Sequence, residues 1–342
     1  MRLVPEIPAE HAERLGSLEV ALDGERMKAV LEPHARARFG AGFVIEAIDI
    51  AVRRRHVNRY VVRYAIRGRT GARGRAQRFA VIGKVLDRGR GETLHRNMGA
   101  LWEHGFGRGA ADRVAIPRPI EYLPELALQI QEEVGGSSVR DLLKRGPDPR
   151  HFTAAGRALA KLHRCSVCLG PPRNVEDHLA RCHPRHPVLA EASDAWAEAV
   201  GRIVAGARRV EPRFGAVVAT PVHGDFHLGQ VHVAGERAWL IDLDTVGMAD
   251  PASDLGNLLV FLEDKARRRA AVAPLMEAFL DAYFAAGMDR GILARVSLYQ
   301  ALTHLRRACK SLRRGCDGWQ DRIRGMLDLG VAAIETAERQ WP

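Results

Sequence analysis

The chain has 342 residues, of which 46% are hydrophobic and 27% charged, with five cysteines and a formal net charge of +11. This composition is typical of a globular protein of one large domain or two packed lobes, and an odd number of cysteines argues against a disulfide framework. No apolar run reaches the roughly 18 residues of a membrane span, and the first residues lack a signal-peptide core, so we expect a cytoplasmic protein without a membrane partner.

The first third of the chain is rich in strand patterns. Helical spacing over about residues 9–38 predicts a leading helical segment, residues 1–42. Alternating β-branched runs predict strands at 44–52 and 60–66, with a cationic connection at 53–59. A third strand is predicted at 79–86, a helix from about 92 to 104 that glycine ends, and a strand at 126–130.

The rest of the chain is predominantly helical in pattern. Amphipathic helices are predicted at 152–163 and 187–208, two short strands flank a turn at 231–243, and helical sequence runs from 254 to about 338. This split predicts an α+β fold of two lobes. The strand-rich N-lobe spans residues 43–131, a hinge follows at 132–136, and a mainly helical C-lobe spans 137–342.

The segment from His223 to Asn257 contains a pattern of oxygen-bearing side chains. Asp225 is predicted to lie in a short loop, and Gln230 follows five residues later. Asp242 comes directly after an apolar strand pattern. Phosphoryl transfer needs a carboxylate that orients the attacking hydroxyl, and oxygen ligands that hold magnesium against nucleotide phosphates. One carboxylate, one amide and a second carboxylate on adjacent loops suit that chemistry.

This segment resembles the signature of the aminoglycoside phosphotransferase and choline kinase superfamily, which shares the bilobal fold of protein kinases. The matching elements, in chain order, are His223-Gly224-Asp225, Gln230, Ile241-Asp242, Ala249-Asp250-Pro251 and Asp254-Leu255. The superfamily has glycine where this chain has Ala249. The resemblance implies a kinase that uses ATP and Mg²⁺ to phosphorylate a hydroxyl of a small molecule.

The resemblance also implies roles for individual residues. Asp225 is the expected catalytic base, and Gln230 and Asp242 are the expected Mg²⁺ ligands. Asp254 is expected to brace the catalytic loop by accepting hydrogen bonds from its backbone, with His223 as a structural part of that loop. Asp244 is a candidate for a supporting or second-metal position.

The nucleotide site is expected in the N-lobe. Lys84, in the third strand, is the expected contact of the α- and β-phosphates. Its glutamate partner is expected on the following helix, with Glu92 favoured over Glu103. Backbone groups near Glu132 and Val134 are expected to bind adenine at the hinge. The connection before the second strand carries arginines that either contact phosphates or are simply solvated, namely Arg53, Arg54, Arg55 and Arg59.

The acceptor is expected to be a sugar or a sugar derivative. Most members of the superfamily have asparagine at the position of Gln230, and the sequence His227-Leu228-Gly229-Gln230 resembles that of bacterial maltokinases. The stretch from His304 to Arg324 is strongly basic, and it would repel a polycationic aminoglycoside if it faces the site. An aminoglycoside-modifying kinase therefore remains the less favoured alternative.

Three further alternatives remain open. A catalytically silent nucleotide-binding or regulatory protein of the same fold would not need the complete set of chemical residues. A nucleic-acid-binding protein is suggested by charge alone, and no recognised binding motif supports it. A zinc site is suggested by Cys165, Cys168, Cys182, His183 and His186, but adjacent Cys182 and His183 have poor geometry for one ion. Nothing in the sequence indicates an oligomeric state.

Overall fold

The computed structural model describes residues 15–341 except residues 57, 72, 73, 88 and 316. Residues 1–14 of the predicted leading segment, Val57 of the predicted cationic connection and the cysteine Cys316 lie outside the described residues. The chain divides into two compact units. One comprises the residues up to Gly135 together with Trp239–Asp244, and the other comprises Gly136–Ala238 and Thr245–Pro342.

An antiparallel sheet forms the centre of the first unit. Its strands are β1 (Phe43–His56), β2 (Arg59–Thr70), β3 (Ala76–Leu86), β5 (Pro119–Leu123) and β6 (Leu128–Glu132), and a short β4 (Val114–Ala115) precedes β5. The strand order is β1-β2-β3-β6-β5. Burial alternates along β2, so that Tyr60, Val62, Tyr64 and Ile66 share one buried face, as the period of two in a strand requires.

The predicted seven-residue connection between the first two strands is wrong. Pairing continues through Arg54 opposite Val61 and Arg55 opposite Tyr60 to His56 opposite Arg59. Only residues 57 and 58 separate the strands. β1 lies at the edge of the sheet, and the side chains of Arg53, Arg54 and Arg55 are exposed. Their charge therefore does not oppose strand formation.

Helices cover both faces of this sheet. The helices α1 (Leu18–Ala21) and α2 (Gly24–Phe39) lie against the face of Tyr64, whose hydroxyl donates to the Ala21 carbonyl over 2.7 Å. The helix α3 (Arg90–Leu101) lies on the opposite face, where Met98 contacts Gln129 at 3.9 Å. The predicted helix at 92–104 thus begins earlier, and its last turn is a π-type turn in which Gly105 has a φ of 90°.

The second unit is mainly helical, which with the strand-rich first unit confirms the predicted α+β fold class. Its helices are α4 (Val139–Arg145), α5 (Pro149–Arg164), α6 (Val175–Ala180), α7 (His186–Glu191), α8 (Asp194–Val210), α9 (Ala252–Ala266), α10 (Ala273–Ala285), α11 (Leu293–Arg314) and α12 (Trp319–Gln340). α5 and α10 approach closely at Gly156. A Cβ at this position would lie only 2.3 Å from the Phe279 carbonyl oxygen, so the contact requires glycine.

The single helix predicted at 187–208 is wrong. The chain forms α7 and α8 with a break at Ser193, whose backbone is extended. Ser193 and Asp194 are residue types that favour a helix start over a helix interior, because their side chains compete for backbone hydrogen bonds. The apolar periodicity continues across the break, so the sequence pattern alone predicts one continuous helix.

Short strands frame the loops of the second unit. β7 (Ser137–Ser138) pairs with β9 (Val231–Ala234), and β8 (Thr220–Val222) pairs antiparallel with β11 (Gly247–Ala249). β10 (Arg237–Leu240) follows β9, as the predicted strand–turn–strand pattern requires. No helix in the described part of the chain combines the length and apolarity needed to cross a membrane.

Candidate active site

In the first unit, the buried Lys84 lies at the centre of an ionic cluster. Its ammonium, in a side chain that is only 4% exposed, donates to Asp242 at 3.1 Å and also to Asp244. Arg59 donates to Asp244 and to Asp242, the latter over 3.4 Å, and Arg54 lies 3.6 Å from Asp242. We call these five residues the Lys84 cluster. It unites one predicted metal ligand with the predicted phosphate-binding lysine.

The charges in the Lys84 cluster stabilise one another. Burial alone would lower the pKa of Lys84, but the carboxylates of Asp244 and Asp242 outweigh it and the pKa is raised. Burial alone would raise the pKa of Asp242, but Lys84 and Arg59 hold that pKa well below its usual range. Both groups are therefore charged at neutral pH.

Asp242 also has an unusual backbone. Its φ is 59°, in the left-handed region that residues with a side chain rarely adopt. Such strain at a non-glycine residue is often found where a side chain must be aimed at a ligand. Here it coincides with the residue that the motif predicted as a Mg²⁺ ligand.

The predicted ion pair between Lys84 and Glu92 or Glu103 is not formed. Glu92 at the start of α3 and Glu103 beyond its end are both exposed, whereas the ion pairs of Lys84 go to Asp242 and Asp244. The physical reason is competition, since the Lys84 ammonium is already neutralised by two carboxylates within hydrogen-bonding distance. The motif predicted only a supporting or second-metal position for Asp244.

The end of β6 places two buried amides on the same face of the sheet as Lys84. Gln129 is opposite Lys84 and Gln131 is opposite Ile82, so the four side chains share one face. The Oε1 atom of Gln131 is buried without a hydrogen-bond partner in the described residues. An unsatisfied buried acceptor beside a buried lysine fits a ligand that carries both donors and negative charge, such as a nucleotide.

The side chain of Glu132 points to the other face. It follows the alternation of Leu128 and Ile130, which lie in the core with α2, and it is paired with Arg108. Any contact of Glu132 with adenine would therefore involve its backbone, as predicted. Val134 lies two residues beyond the end of β6, half-buried.

In the second unit, Asp254 holds the loop that carries Asp225. The Asp254 carboxylate is buried near the start of α9, and it accepts hydrogen bonds from the backbone N–H groups of His223 (2.6 Å) and Gly224 (2.8 Å). These are the backbone contacts that the motif predicted. Gly224 has a φ of 79°, and a Cβ there would lie 2.5 Å from the Thr245 carbonyl oxygen, so the loop requires glycine at this position.

His163 in α5 completes the support of Asp254. Its Nε2 lies 3.2 Å from Asp254 Oδ2, and its Nδ1 lies 2.7 Å from the Tyr283 hydroxyl in α10. A carboxylate can only accept, so Nε2 carries the hydrogen that is donated to Asp254. Although burial alone would raise the pKa of Asp254, hydrogen bonding to His163 helps to lower it. Sequence reasoning did not predict this role of His163.

The catalytic loop continues through His227 to Gln230. His227 Nδ1 accepts a hydrogen bond from the Gly229 N–H over 2.9 Å, which stabilises the 3₁₀ turn Leu228–Gln230. The Gln230 side chain is buried. His227 in the His-Leu-Gly-Gln sequence therefore stabilises the local turn, in addition to the resemblance of this sequence to maltokinases.

Asp225 is the exposed carboxylate of this loop, with 46% of its side chain accessible. Arg306 in α11 donates to Asp225 Oδ1 over 3.4 Å and to the Asn257 Oδ1 over 2.5 Å, while Asn257 donates to the Phe226 carbonyl over 2.7 Å. Arg306 and Asn257 therefore fix both the carboxylate and the backbone of the loop. Sequence reasoning noted Arg306 only as one charge of a basic stretch.

A second, half-buried arginine contacts the same loop. Arg181 donates to the Gly224 carbonyl over 2.7 Å, and burial together with the nearby Arg306 lowers the pKa of Arg181 to about 9. His178 lies in this positive environment, and burial lowers its pKa to about 3. The surroundings of Asp225 within the second unit are consequently rich in positive charge.

Asp250, in the motif element with the altered first residue, has a structural position. Its carboxylate accepts from the Ala252 N–H (2.9 Å) at the start of α9 and forms a two-point ion pair with Arg295 at 2.6 and 3.0 Å. The altered residue, Ala249, is buried in β11 opposite Thr220. The element thus anchors the helix that contains Asp254.

The candidate zinc ligands do not form a metal centre. Within the described part of the chain, no group of three or more His, Cys, Asp or Glu side chains is arranged to hold a metal ion. Cys182 and Cys309 of α11 are instead buried free thiols. Mg²⁺ differs from zinc here, because it is usually held by one or two carboxylates together with substrate phosphates. The oxygen donors Asp242 and Gln230 fit that chemistry.

Comparison with known proteins gave one family match and many structural ones. The model of the phosphotransferase enzyme family (APH) matches residues 57–293. Among curated proteins, no match was found.

Three solved structures illustrate the similarity of fold. A choline/ethanolamine kinase family protein from Mesorhizobium loti is 18% identical with a TM-score of 0.54, over 79% of this chain and 89% of that one. An amicoumacin kinase in complex with AMP-PNP, Ca²⁺ and Ami is 17% identical with a TM-score of 0.56, over 84% and 88%. A thermostable mutant of aminoglycoside phosphotransferase APH(4)-Ia, in a ternary complex with ADP and hygromycin B, is 13% identical with a TM-score of 0.55, over 90% and 98%. Together with the family match, they confirm the superfamily resemblance, whereas the maltokinase-like character of the loop stays a prediction.

Proposed function

Because the chain belongs to the phosphotransferase enzyme family, we propose that it is an ATP- and Mg²⁺-dependent kinase of a small hydroxyl compound, a sugar or sugar derivative. The observation that carries this proposal is the Asp225 loop, which Asp254 and Arg306 hold while leaving the Asp225 carboxylate exposed. A buried scaffold around one exposed carboxylate is the arrangement that a catalytic base requires.

The Lys84 cluster is the proposed phosphate-binding region. Lys84 supplies a point charge, and Arg59 and Arg54 supply planar guanidinium groups that suit phosphate oxygens. The unsatisfied Gln131 acceptor, together with backbone groups at Glu132 and Val134, is proposed to contact the base. Nucleotides are bound in solved structures of similar fold, such as AMP-PNP in the amicoumacin kinase.

Asp242 and Gln230 are the proposed Mg²⁺ ligands. When bound, the metal ion would neutralise negative charge on the nucleotide phosphates. Asp242 is suited to this role because its carboxylate is already ionised and is held at a strained backbone position. Gln230 contributes a neutral amide oxygen, a donor type that Mg²⁺ accepts.

Asp225 is proposed to accept the proton of the attacking hydroxyl. The hydroxyl oxygen forms a bond to the γ-phosphorus as the bond between that phosphorus and the β–γ bridging oxygen breaks, and ADP leaves. Arg306 keeps the Asp225 carboxylate aligned from one side.

The proposal is tested by an ATP-consumption screen of sugars, sugar derivatives, amino alcohols, nucleosides and aminoglycosides. With a confirmed substrate, Asp225→Asn is expected to reduce kcat by roughly 100- to 10,000-fold, the usual contribution of a general base. The control is Asp321→Asn, which removes an exposed carboxylate in α12 and is expected to leave kcat unchanged.

The alternatives predict other outcomes of the same screen. A silent nucleotide-binding protein would bind ATP and phosphorylate none of the compounds. An aminoglycoside kinase would prefer kanamycin or hygromycin B, compounds that are bound in solved structures of similar fold. Equal activity of wild type and Asp225→Asn would remove the base assignment.

A further inference from the structure

The second unit contains a cavity of about 270 Å³ between α9, α11 and α12. Its volume is slightly below the roughly 300–1,000 Å³ of sites for drug-sized ligands, so it suits a molecule of about monosaccharide size. Two aromatic rings, Phe261 and Trp319, form part of its wall, and no lining residue is acidic. Its basic lining residues are Arg307, Lys310, Arg314 and Arg322.

This cavity adjoins the Asp225 loop along one helix face. Arg306, which contacts Asp225, lies four residues before Lys310, and Lys310 lies four residues before Arg314. Residues four apart share one face of an α-helix and are separated by about 6 Å along its axis. A row of cations therefore runs from Asp225 into the cavity. The ring of His227, two residues after Asp225, packs 5.6 Å from Phe261 in the cavity wall.

Lys310 is the cation of this row on which the inference rests. Within the described residues, the Lys310 ammonium has neither a hydrogen-bond partner nor an ion-pair partner. Partial burial and the nearby Arg314 lower the pKa of Lys310, and Asp225 acts in the opposite direction. Arg307 lies 4.8 Å above the Phe261 ring and is 3.8 Å from Asp264. Lys310 and Arg314 repel each other, and an anion bound beside the Lys310 ammonium would relieve that repulsion.

We propose that the acceptor is an anionic hydroxyl compound of about monosaccharide size, whose phosphate or carboxylate group binds in this cavity near Lys310 while its hydroxyl reaches Asp225. This inference rests on the proposed kinase function and narrows its substrate class. Phosphate and carboxylate share the required chemistry, since both accept charge-assisted hydrogen bonds from lysine and arginine. The aromatic walls give the apolar side of a sugar ring a contact surface.

Direct binding tests the inference without requiring catalysis. Isothermal titration of the full chain, at one fixed ionic strength, compares glucose 6-phosphate, glucuronate, glucose and kanamycin. We expect at least one of the two anionic probes to bind about tenfold or more tightly than glucose, which corresponds to about 1.4 kcal/mol. The stronger of the two identifies phosphate or carboxylate as the preferred group.

Two matched variants locate the binding group. Lys310→Gln is expected to weaken binding of the anionic probe by about tenfold and to leave the affinity for glucose unchanged. Arg313→Gln removes the same charge from an exposed position on the same helix, and Arg313 does not line the cavity. This variant is expected to change neither the affinity for the anionic probe nor that for glucose. The inference is overturned if neither anionic probe binds, if glucose or kanamycin binds as tightly, or if both variants weaken binding equally.

The outcome separates this inference from the kinase proposal. If anionic probes bind through Lys310 but the ATP-consumption screen finds no phosphorylation of any hydroxyl compound, the kinase proposal fails and the anion site stands. If the chain phosphorylates neutral sugars in preference to anionic ones, the kinase proposal stands and the anionic acceptor is wrong.

Discussion

The two units each contain an aspartate whose pKa is lowered by its neighbours, Asp242 largely buried and Asp254 fully buried, but in physically different ways. Asp242 is surrounded by the side-chain cations Lys84, Arg59 and Arg54, whereas Asp254 is held mainly by backbone N–H groups and His163. Mobile, charged side chains can turn from one anion to another. Backbone donors cannot leave without unfolding the loop. We therefore propose that the Asp242 region binds a ligand, whereas Asp254 holds the shape of the loop.

The largest expected effect is on stability at Asp254. Asp254→Ala would leave two backbone N–H groups and the His163 ring without their buried acceptor. Loss of one partner in such a network typically costs about 3–5 kcal/mol, so we expect the free energy of unfolding to fall by that amount. Denaturant unfolding followed by tryptophan fluorescence measures it. Asp242→Ala should cost clearly less, because Lys84 retains Asp244, and equal losses would contradict the comparison.

The next effect is on activity at Asp242. Asp242→Asn keeps the shape of the side chain but removes its charge, so the proposed metal ligand is weakened. We expect kcat/KM to fall by roughly 100- to 1,000-fold, as for loss of one preorganised electrostatic group, and the free energy of unfolding to fall less than in Asp254→Ala, because Lys84 retains Asp244. Steady-state kinetics over a range of Mg²⁺ concentrations measures it. If excess Mg²⁺ restores no activity and nucleotide binding is unaltered, Asp242 does not serve as a ligand.

A smaller effect concerns pH. The pKa of Asp254 is lowered in the folded protein, so its stabilising contribution is fully present above the unfolded value of about 3.9 and is lost as pH falls through the folded pKa. The stability difference between wild type and Asp254→Asn should therefore stay constant from neutral pH to about pH 4 and narrow below it. Urea unfolding at a series of pH values measures this difference. A difference that narrows already between pH 7 and 5 would point to histidine titration instead.

The sequence predicted well those features that depend on local order. The α+β class, the strand position of Lys84 and the hydrogen bonds of Asp254 to the loop were all accessible, because periodicity and motif spacing are local properties. The partners of these residues were not. Asp244 replaced Glu92 beside Lys84, and His163 and Arg306 reach their carboxylates across 91 and 81 residues of sequence.

The errors at element boundaries have a similar origin. β1 extends through three arginines because an edge strand exposes them to solvent, which depends on the completed sheet. The break at Ser193 is hidden because the helices on both sides are amphipathic. The local sequence pattern indicates the secondary-structure preference of each residue. Where β1 ends and where the helix breaks depends instead on which surfaces tertiary packing leaves exposed.

The smallest expected effect tests whether the cations around Asp242 serve a ligand. Arg59→Gln removes one guanidinium from the Lys84 cluster, while Lys84 remains paired with both carboxylates. We expect ATP to bind roughly five- to tenfold more weakly, a loss of about 1 kcal/mol, because the other cations still attract phosphates. The control is Arg53→Gln, an exposed arginine on the same hairpin, which should leave ATP affinity unchanged. Equal weakening in both variants would mean that only the general positive field attracts ATP, and Arg59 would then have no specific phosphate contact.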